Sequence, residues 1–137
     1  MASKFESSIR EIPYSQSAVY GMLSDLSNIE KIKGKLPEDK IKDLVFDADS
    51  LSIHSPIGKI ALQIIEKEAP KCIKFETRES MMPFNLWIQI APISDASCKI
   101  KLTVKAELNP FIKTMVQKPL QEGIEKIADV LELIHYE

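Results

Sequence analysis

Apolar residues recur along the chain with two periods, and the switch between them marks its organisation. From Ile41 to Leu108 the period is two. It is clearest over residues 98–108, where Ile100, Leu102, Val104 and Ala106 alternate with Lys99, Lys101, Thr103, Lys105 and Glu107. Successive strand side chains point to opposite faces, so this segment reads as a strand with one buried and one wet face. The same alternation predicts strands over 41–47, 51–55, 59–68, 72–79 and 84–93. It turns Leu51 and Ile53, Ile60, Leu62 and Ile64, Ile73 and Phe75, and Leu86, Ile88 and Ile90 inward. The separators are short and rich in turn residues, so neighbouring strands are antiparallel and form a meander.

From Pro110 to Tyr136 the period becomes helical. Val116, Leu120, Ile124, Ile127, Leu131 and Ile134 form one stripe, with Lys118, Gln121, Glu122, Glu125, Asp129 and Glu132 on the solvated side. Asn109 suits the N-cap and Pro110 the first helical position. Phe111 and Met115 lie nearly opposite the stripe, and Pro119 stands between the two sets. A bend at Pro119 is therefore predicted. It would fold residues 110–118 over the interior as a lid, with Phe111, Met115 and Val116 touching the space beneath. Gly123, at the sheet-facing edge, would leave room.

Before the meander, residues 4–12 read as a strand with Phe5, Ser7 and Ile9 on one side and Glu6, Ser8 and Arg10 on the other. Pro13 ends it. Ser15 caps a predicted helix over 16–26, which buries Val19, Leu23 and Leu26 with Ala18 and Met22 beside them. Gly21, inside that helix, implies close packing there. A second short helix is expected over 28–33. The order is one strand, two short helices, six strands and one long helix. That predicts an α+β fold in one domain, 1–137, with seven antiparallel strands curved around the last helix. A curved sheet holding one helix across its mouth leaves space that becomes a cavity.

Composition narrows the function classes. The 137 residues are 45% apolar and 28% charged, enough for one cored domain. A net charge of −2 gives no nucleic-acid footprint. The local basic run of Lys31, Lys33, Lys35, Lys40 and Lys42 is broken by Glu38 and Asp39 and lacks interleaved aromatics, so it reads as a solvated loop. No apolar run is long enough for an integral membrane segment. Met1 to Glu6 hold no apolar signal core, so a cytoplasmic location is expected. Cys72 and Cys98 lack metal spacing and read as free thiols.

Two segments resemble a known superfamily. Ser7 to Asn28, with the strand, Pro13, Val19-Tyr20 in the helix and Ser24-Asp25 near its end, is similar to the opening of the START-like, or Bet v 1-like, helix-grip proteins. Pro110-Phe111 through Leu131, with Pro119-Leu120 in mid-helix, resembles their C-terminal helix. Among them the chain looks most like the bacterial polyketide cyclase/dehydrase and lipid-transport group. It departs at Ile32-Lys33-Gly34-Lys35, where many members carry an aromatic. It departs again at Asp47-Ala48-Asp49-Ser50, which lacks the glycine-rich loop of the plant allergen branch. The resemblance implies the helix-grip fold and an apolar cavity. It brings no shared catalytic motif, so no catalytic residue is assigned.

Chemistry-bearing residues are sparse. His54 is out of phase with Leu51 and Ile53 and should face outward, and His135 falls in the last predicted turn. No histidine, cysteine or carboxylate set has metal spacing, and no cofactor is expected. Glu66 and Glu79 share the inward parity near strand ends, as do Ser55 and Thr77. Met81 and Met82 precede Pro83 at a hairpin tip, either as an apolar lip or folded back onto the core. Trp87 has outward parity, as a partner contact or local cover, unless a bulge turns it in. The cavity is thus expected to be lined by Ile53, Leu62, Ile64, Phe75, Thr77 and Glu79, by Met81, Leu86, Ile88, Leu102 and Val104, and by Phe111, Met115, Val116 and Leu120. The expected function is a small binding protein for an apolar molecule of lipid, polyketide or isoprenoid type. One alternative is a cyclase- or dehydratase-type enzyme using the same cavity. Another is an interaction or co-chaperone-like module, with a homodimer or protein partner meeting an apolar patch near Trp87 or Phe111.

Overall fold

The computed structural model describes residues 2–28, 44–46, 49–55, 58–78, 83–134 and 136. Its elements are β1 (Ala2–Glu6), β2 (Arg10–Ile12), α1 (Gln16–Leu23), β3 (Leu44–Phe46), β4 (Ser50–Ser55), β5 (Gly58–Glu68), β6 (Cys72–Arg78), β7 (Phe84–Ser94), β8 (Ser97–Glu107) and α2 (Pro110–Leu133). The sheet runs β1-β8-β7-β6-β5-β4-β3, all antiparallel, and β2 follows β1 along the same edge of β8. The first predicted strand is therefore one strand position broken in two. With that counted once, the curved seven-strand sheet and long C-terminal helix stand as expected.

The break is a one-residue bulge. Glu6 pairs with Thr103, but Arg10 pairs with Ile100, so the first strand spends one residue more than its partner. Ser7 makes the corner. Its N–H donates to the Leu102 carbonyl (2.9 Å), and its hydroxyl accepts from the Leu102 N–H (2.9 Å). An extra residue reverses the alternation beyond it. Ser3, Phe5 and Ser7 are buried, Ile9 is 59% exposed, and Ile12 is buried. The expectation that Ile9 shares the side of Phe5 and Ser7 is thus corrected. The register shifts again between Ile64 and Glu66 and between Pro92 and Ser94. The residues in those gaps, Ile65 and Ile93, are likewise exposed.

α1 and α2 begin where their caps predict. The Ser15 hydroxyl accepts from the Ala18 N–H (3.1 Å) and the Asn109 side chain from the Ile112 N–H (2.9 Å). The first residue of α1 ties it to the sheet, the Gln16 amide donating to the Ile90 carbonyl (3.0 Å). α1 stops at Leu23, yet Leu26 is still buried. The second short helix falls mostly outside the described residues, as does the basic run after it. α2 ends at Leu133, earlier than its apolar stripe suggests, because Ile134 turns extended. Ile134 and Tyr136 are nonetheless buried, with the Tyr136 hydroxyl donating to the Leu131 carbonyl (2.6 Å).

α2 lays Val116, Leu120, Ile124, Ile127 and Leu131 on the sheet, packing against β1, β2 and β8. Cys72 pairs with outward Gln89, while Cys98 pairs with Pro92 and Ile12 on the buried side, so the two free thiols lie on opposite faces. Gly21 is exposed, and a Cβ there would meet nothing within 4 Å. The expected close packing at Gly21 is absent, so its only effect is to loosen the helix. Gly21→Ala should therefore stabilise the fold by about 0.5–1 kcal/mol, seen as a raised urea midpoint at unchanged slope. A lower midpoint would contradict the open environment.

Candidate functional site

The inward strand residues converge as their alternation predicts. Leu62, Phe75, Leu86, Ile88, Leu102 and Val104 meet Val116 and Leu120 of α2 in one buried cluster. Cross-strand registry stacks them in rows: Leu62 beside Thr77, Ile64 beside Phe75 beside Leu86 beside Val104, and Val104 beside Phe5. At the β5–β6 side this inner face is less deeply buried. Ile64 and Thr77 point inward yet remain half-buried, whereas Leu62 and Phe75 beside them are closed off. That side of the sheet lies away from β1, β2 and β8, on which α2 rests. Thr77 is already engaged, since its hydroxyl accepts the Phe84 N–H (3.1 Å) and fastens the β6–β7 hairpin.

Other predicted positions fall elsewhere. α2 is helical without interruption through Pro119. Phe111 and Met115 are 76% and 63% exposed. The lid expectation for these two is overturned, because a continuous helix keeps them on the side opposite the buried stripe. Glu66 also fails to face inward. The extra residue Ile65 turns it to the outer face, beside Lys74 and Trp87. Glu79, Met81, Met82 and His135 lie outside the described residues, as do the side chains of Ile53, His54, Ser55 and Ile60. Among the described residues no cluster of histidine, cysteine or carboxylate side chains is placed to hold a metal ion.

No protein-family model matches this sequence, and neither does any curated protein. Solved structures do match. A norcoclaurine synthase point mutant from Thalictrum flavum, in complex with a transition-state analogue, superposes with a TM-score of 0.73 at 16% identity, covering 96% of this chain and 92% of that one. A START superfamily protein from Mycobacterium smegmatis gives 0.64 at 15% identity over 96% and 94%. A Thermus thermophilus protein gives 0.65 at 18% over 95% and 94%. The fold is the START-like, Bet v 1-like helix grip. Identities this low speak for the fold alone.

Within this helix grip, the contact that locks the helix to the sheet edge was invisible in the alternation. Arg10 reaches from β2 to three acids on α2. Its Nη2 meets Glu125 (2.9 Å), and its Nη1 meets Asp129 (2.7 Å) and Glu132 (3.2 Å). Its Nε donates to the Ser8 hydroxyl (2.8 Å). That hydroxyl and the Ser8 N–H both donate to Glu125. The spacing of those acids, at i, i+4 and i+7, was the one signal available, but it reads equally well as a solvated helix face. Partial burial disfavours the charge on Glu125. The Ser8 N–H, Arg10 and the Ser8 hydroxyl outweigh that and hold its carboxyl below the ordinary value of 4.5.

The outer face is polar cover. Trp87 lies there as its parity predicts, half-buried, with the Lys74 and Lys105 ammonium groups 5.3 and 5.6 Å from its ring. Its cross-strand neighbour Thr103 is buried and donates to Gln89 (2.9 Å). Two clefts flank this face. One, of about 320 Å³, includes Ile9, Lys71, Gln89 and Lys99; the other, of about 250 Å³, is lined by Glu66, Glu68, Cys72, Lys74 and Trp87. Burial raises the Cys72 and Cys98 thiols above their ordinary range, so neither is a ready thiolate.

Because the Glu125 carboxyl is lowered in the folded state, its stabilisation is full above about pH 4.5 and is lost as pH falls through the folded value. Arg10→Gln should destabilise the protein by about 1–2 kcal/mol at pH 7, the acids being partly solvent-screened. The gap from the parent should narrow as Glu125 is protonated. Urea melts at pH 7 and pH 3.5 test this. An equal gap at both would show that the ion cluster does not hold the helix.

Proposed function

We propose that the chain is a small binding protein that holds an apolar molecule, of lipid, polyketide or isoprenoid type, between the curved sheet and α2. The observation that carries this reading is the continuous apolar inner face with a partly buried margin at Ile64 and Thr77. The apolar inner face from β5 to β8 is deeply buried at Leu62, Phe75, Leu86, Ile88, Leu102 and Val104 and only partly buried at Ile64 and Thr77. Apolar side chains at such a margin favour an apolar occupant, and the Thr77 hydroxyl, which keeps a proton to donate while accepting from the Phe84 N–H, would orient it. Likeness to norcoclaurine synthase, solved with a transition-state analogue, supports a small-molecule site in this architecture. A cyclase or dehydratase would need an inward titratable group to move protons. Glu66, the strand carboxylate among the described residues with that parity, sits on the outer face and does not supply it.

Cis-parinaric acid, a fluorescent fatty acid, should bind saturably at one site per chain. Ile64→Trp, which enlarges the side chain at that margin, should weaken binding by about tenfold or more, while Trp87→Phe on the outer face should leave it unchanged. Organic extraction of freshly purified protein, followed by mass spectrometry, should release an apolar compound. Absence of saturable binding, or equal affinity in Ile64→Trp, would overturn the proposal.

A further inference from the structure

The first turns of α2 stand clear of the body. Every residue from Asn109 to Met115 is exposed. Three of them are large and apolar: Phe111 at 76%, Ile112 at 40% and Met115 at 63%. A free-standing turn gains nothing from such side chains in water, where each is a solvation loss. It is nevertheless firmly built. Asn109 caps it, Pro110 opens it, and the Thr114 hydroxyl donates to the Pro110 carbonyl (3.0 Å). A rigid apolar tip held in solvent is a surface awaiting cover.

Charge identifies the cover. α2 is electrically divided. Up to Pro119 it carries Lys113 and Lys118 and no acid. After Pro119 it carries Glu122, Glu125, Asp129 and Glu132 against Lys126 alone. Helix N-termini normally favour acids, because the unpaired N–H groups leave a partial positive charge there. This N-terminus instead adds cations to that charge. The exposed apolar residues therefore coincide with the basic half of the helix, in a chain whose net charge is −2. Phe111, Met115 and Lys118 follow one line at i, i+4 and i+7, with Ile112 beside them. Apolar side chains flanked by lysines match the boundary of a bilayer, where hydrocarbon lies just beneath anionic headgroups.

We propose that the Asn109–Lys118 tip of α2 docks the protein onto anionic membrane surfaces, inserting Phe111, Ile112 and Met115 at the interface while Lys113 and Lys118 meet lipid phosphates. The helix lies on the membrane and does not cross it. Among the described residues no helix is long and apolar enough to span one. A second copy of the chain fits this tip less well. Tip-to-tip contact brings like charges together, and three side chains fall far short of the roughly 1,200 Å² that a stable interface buries. Tip against the acidic half would lay Phe111 over carboxylates already held by Arg10. The inference does not depend on what the interior binds.

Co-sedimentation of the full chain with extruded vesicles tests it. Phosphatidylcholine vesicles containing 30 mol% phosphatidylglycerol, about a third anionic lipid, should bind at least about tenfold more protein than pure phosphatidylcholine. Phe111→Ser/Met115→Ser should lose that binding, and so should Lys113→Glu/Lys118→Glu. All four positions are exposed, so thermal melts should match the parent. Phe111→Trp in a Trp87→Phe background gives a second readout, a blue-shifted emission on adding anionic vesicles. Failure of the parent to sediment with anionic vesicles, equal binding to both vesicle types, or an unshifted emission from the Phe111→Trp variant would overturn the proposal. So would a concentration-dependent dimer in light scattering that Phe111→Ser/Met115→Ser dissolves, since the tip would then be covered by a second copy.

Discussion

A sheet that wraps one helix has to bend, and here the bends are made by single extra residues. Each bulge, at residues 7–9, at Ile65 and at Ile93, adds one residue to a strand and reverses its alternation. Each also leaves an isoleucine in solvent: Ile9, Ile65 and Ile93. An exposed isoleucine in a strand would normally read as a packing fault. In this sheet it marks where the chain gives up an apolar contact for curvature. The same device decides chemistry, because the bulge at Ile65 carries Glu66 away from the interior.

Curvature alone does not fix the helix. The bulge at residues 7–9 also brings Arg10 to the edge facing α2, where it gathers Glu125, Asp129 and Glu132. The guanidinium fork can satisfy several carboxylates at once, which a lysine could not do with the same geometry. Packing of the apolar stripe on β1, β2 and β8 supplies the bulk of the attachment, and the ion cluster adds direction. Below Pro119 the helix is held on two counts, by apolar burial and by charge. N-terminal to Pro119 the ion cluster is absent and Val116 alone is buried, and residues 109–115 stand in solvent.

That contrast divides the molecule functionally. The anchored half of α2 closes one side of the apolar face. The opposite side, at Ile64 and Thr77, is only partly buried, which suits an apolar occupant. The free half of α2 carries exposed Phe111, Ile112 and Met115 among lysines, which suits an anionic interface. Both features follow from where the helix rests.

Much of this was legible in the residues. The two-residue alternation of 98–108, the stripe from Val116 to Leu131, and the Ser15 and Asn109 caps determined the elements, their order and the buried set, because burial selects residues at those periods whatever their neighbours. Leu62, Phe75, Leu86, Ile88, Leu102 and Val104 were identified on that ground alone. What the sequence could not decide were events that break a period. A bulge is a relation between two strands and leaves no mark in either, so Ile9 and Glu66 were turned the wrong way. A proline inside a helix need not interrupt it, and in the unbroken α2 Phe111 and Met115 stay exposed instead of covering the interior. The partnership of Arg10 with Glu125, Asp129 and Glu132 joins residues more than a hundred positions apart. Only the tertiary structure brings them together, because charge on a strand and charge on a helix read as solvated surface until the two elements meet.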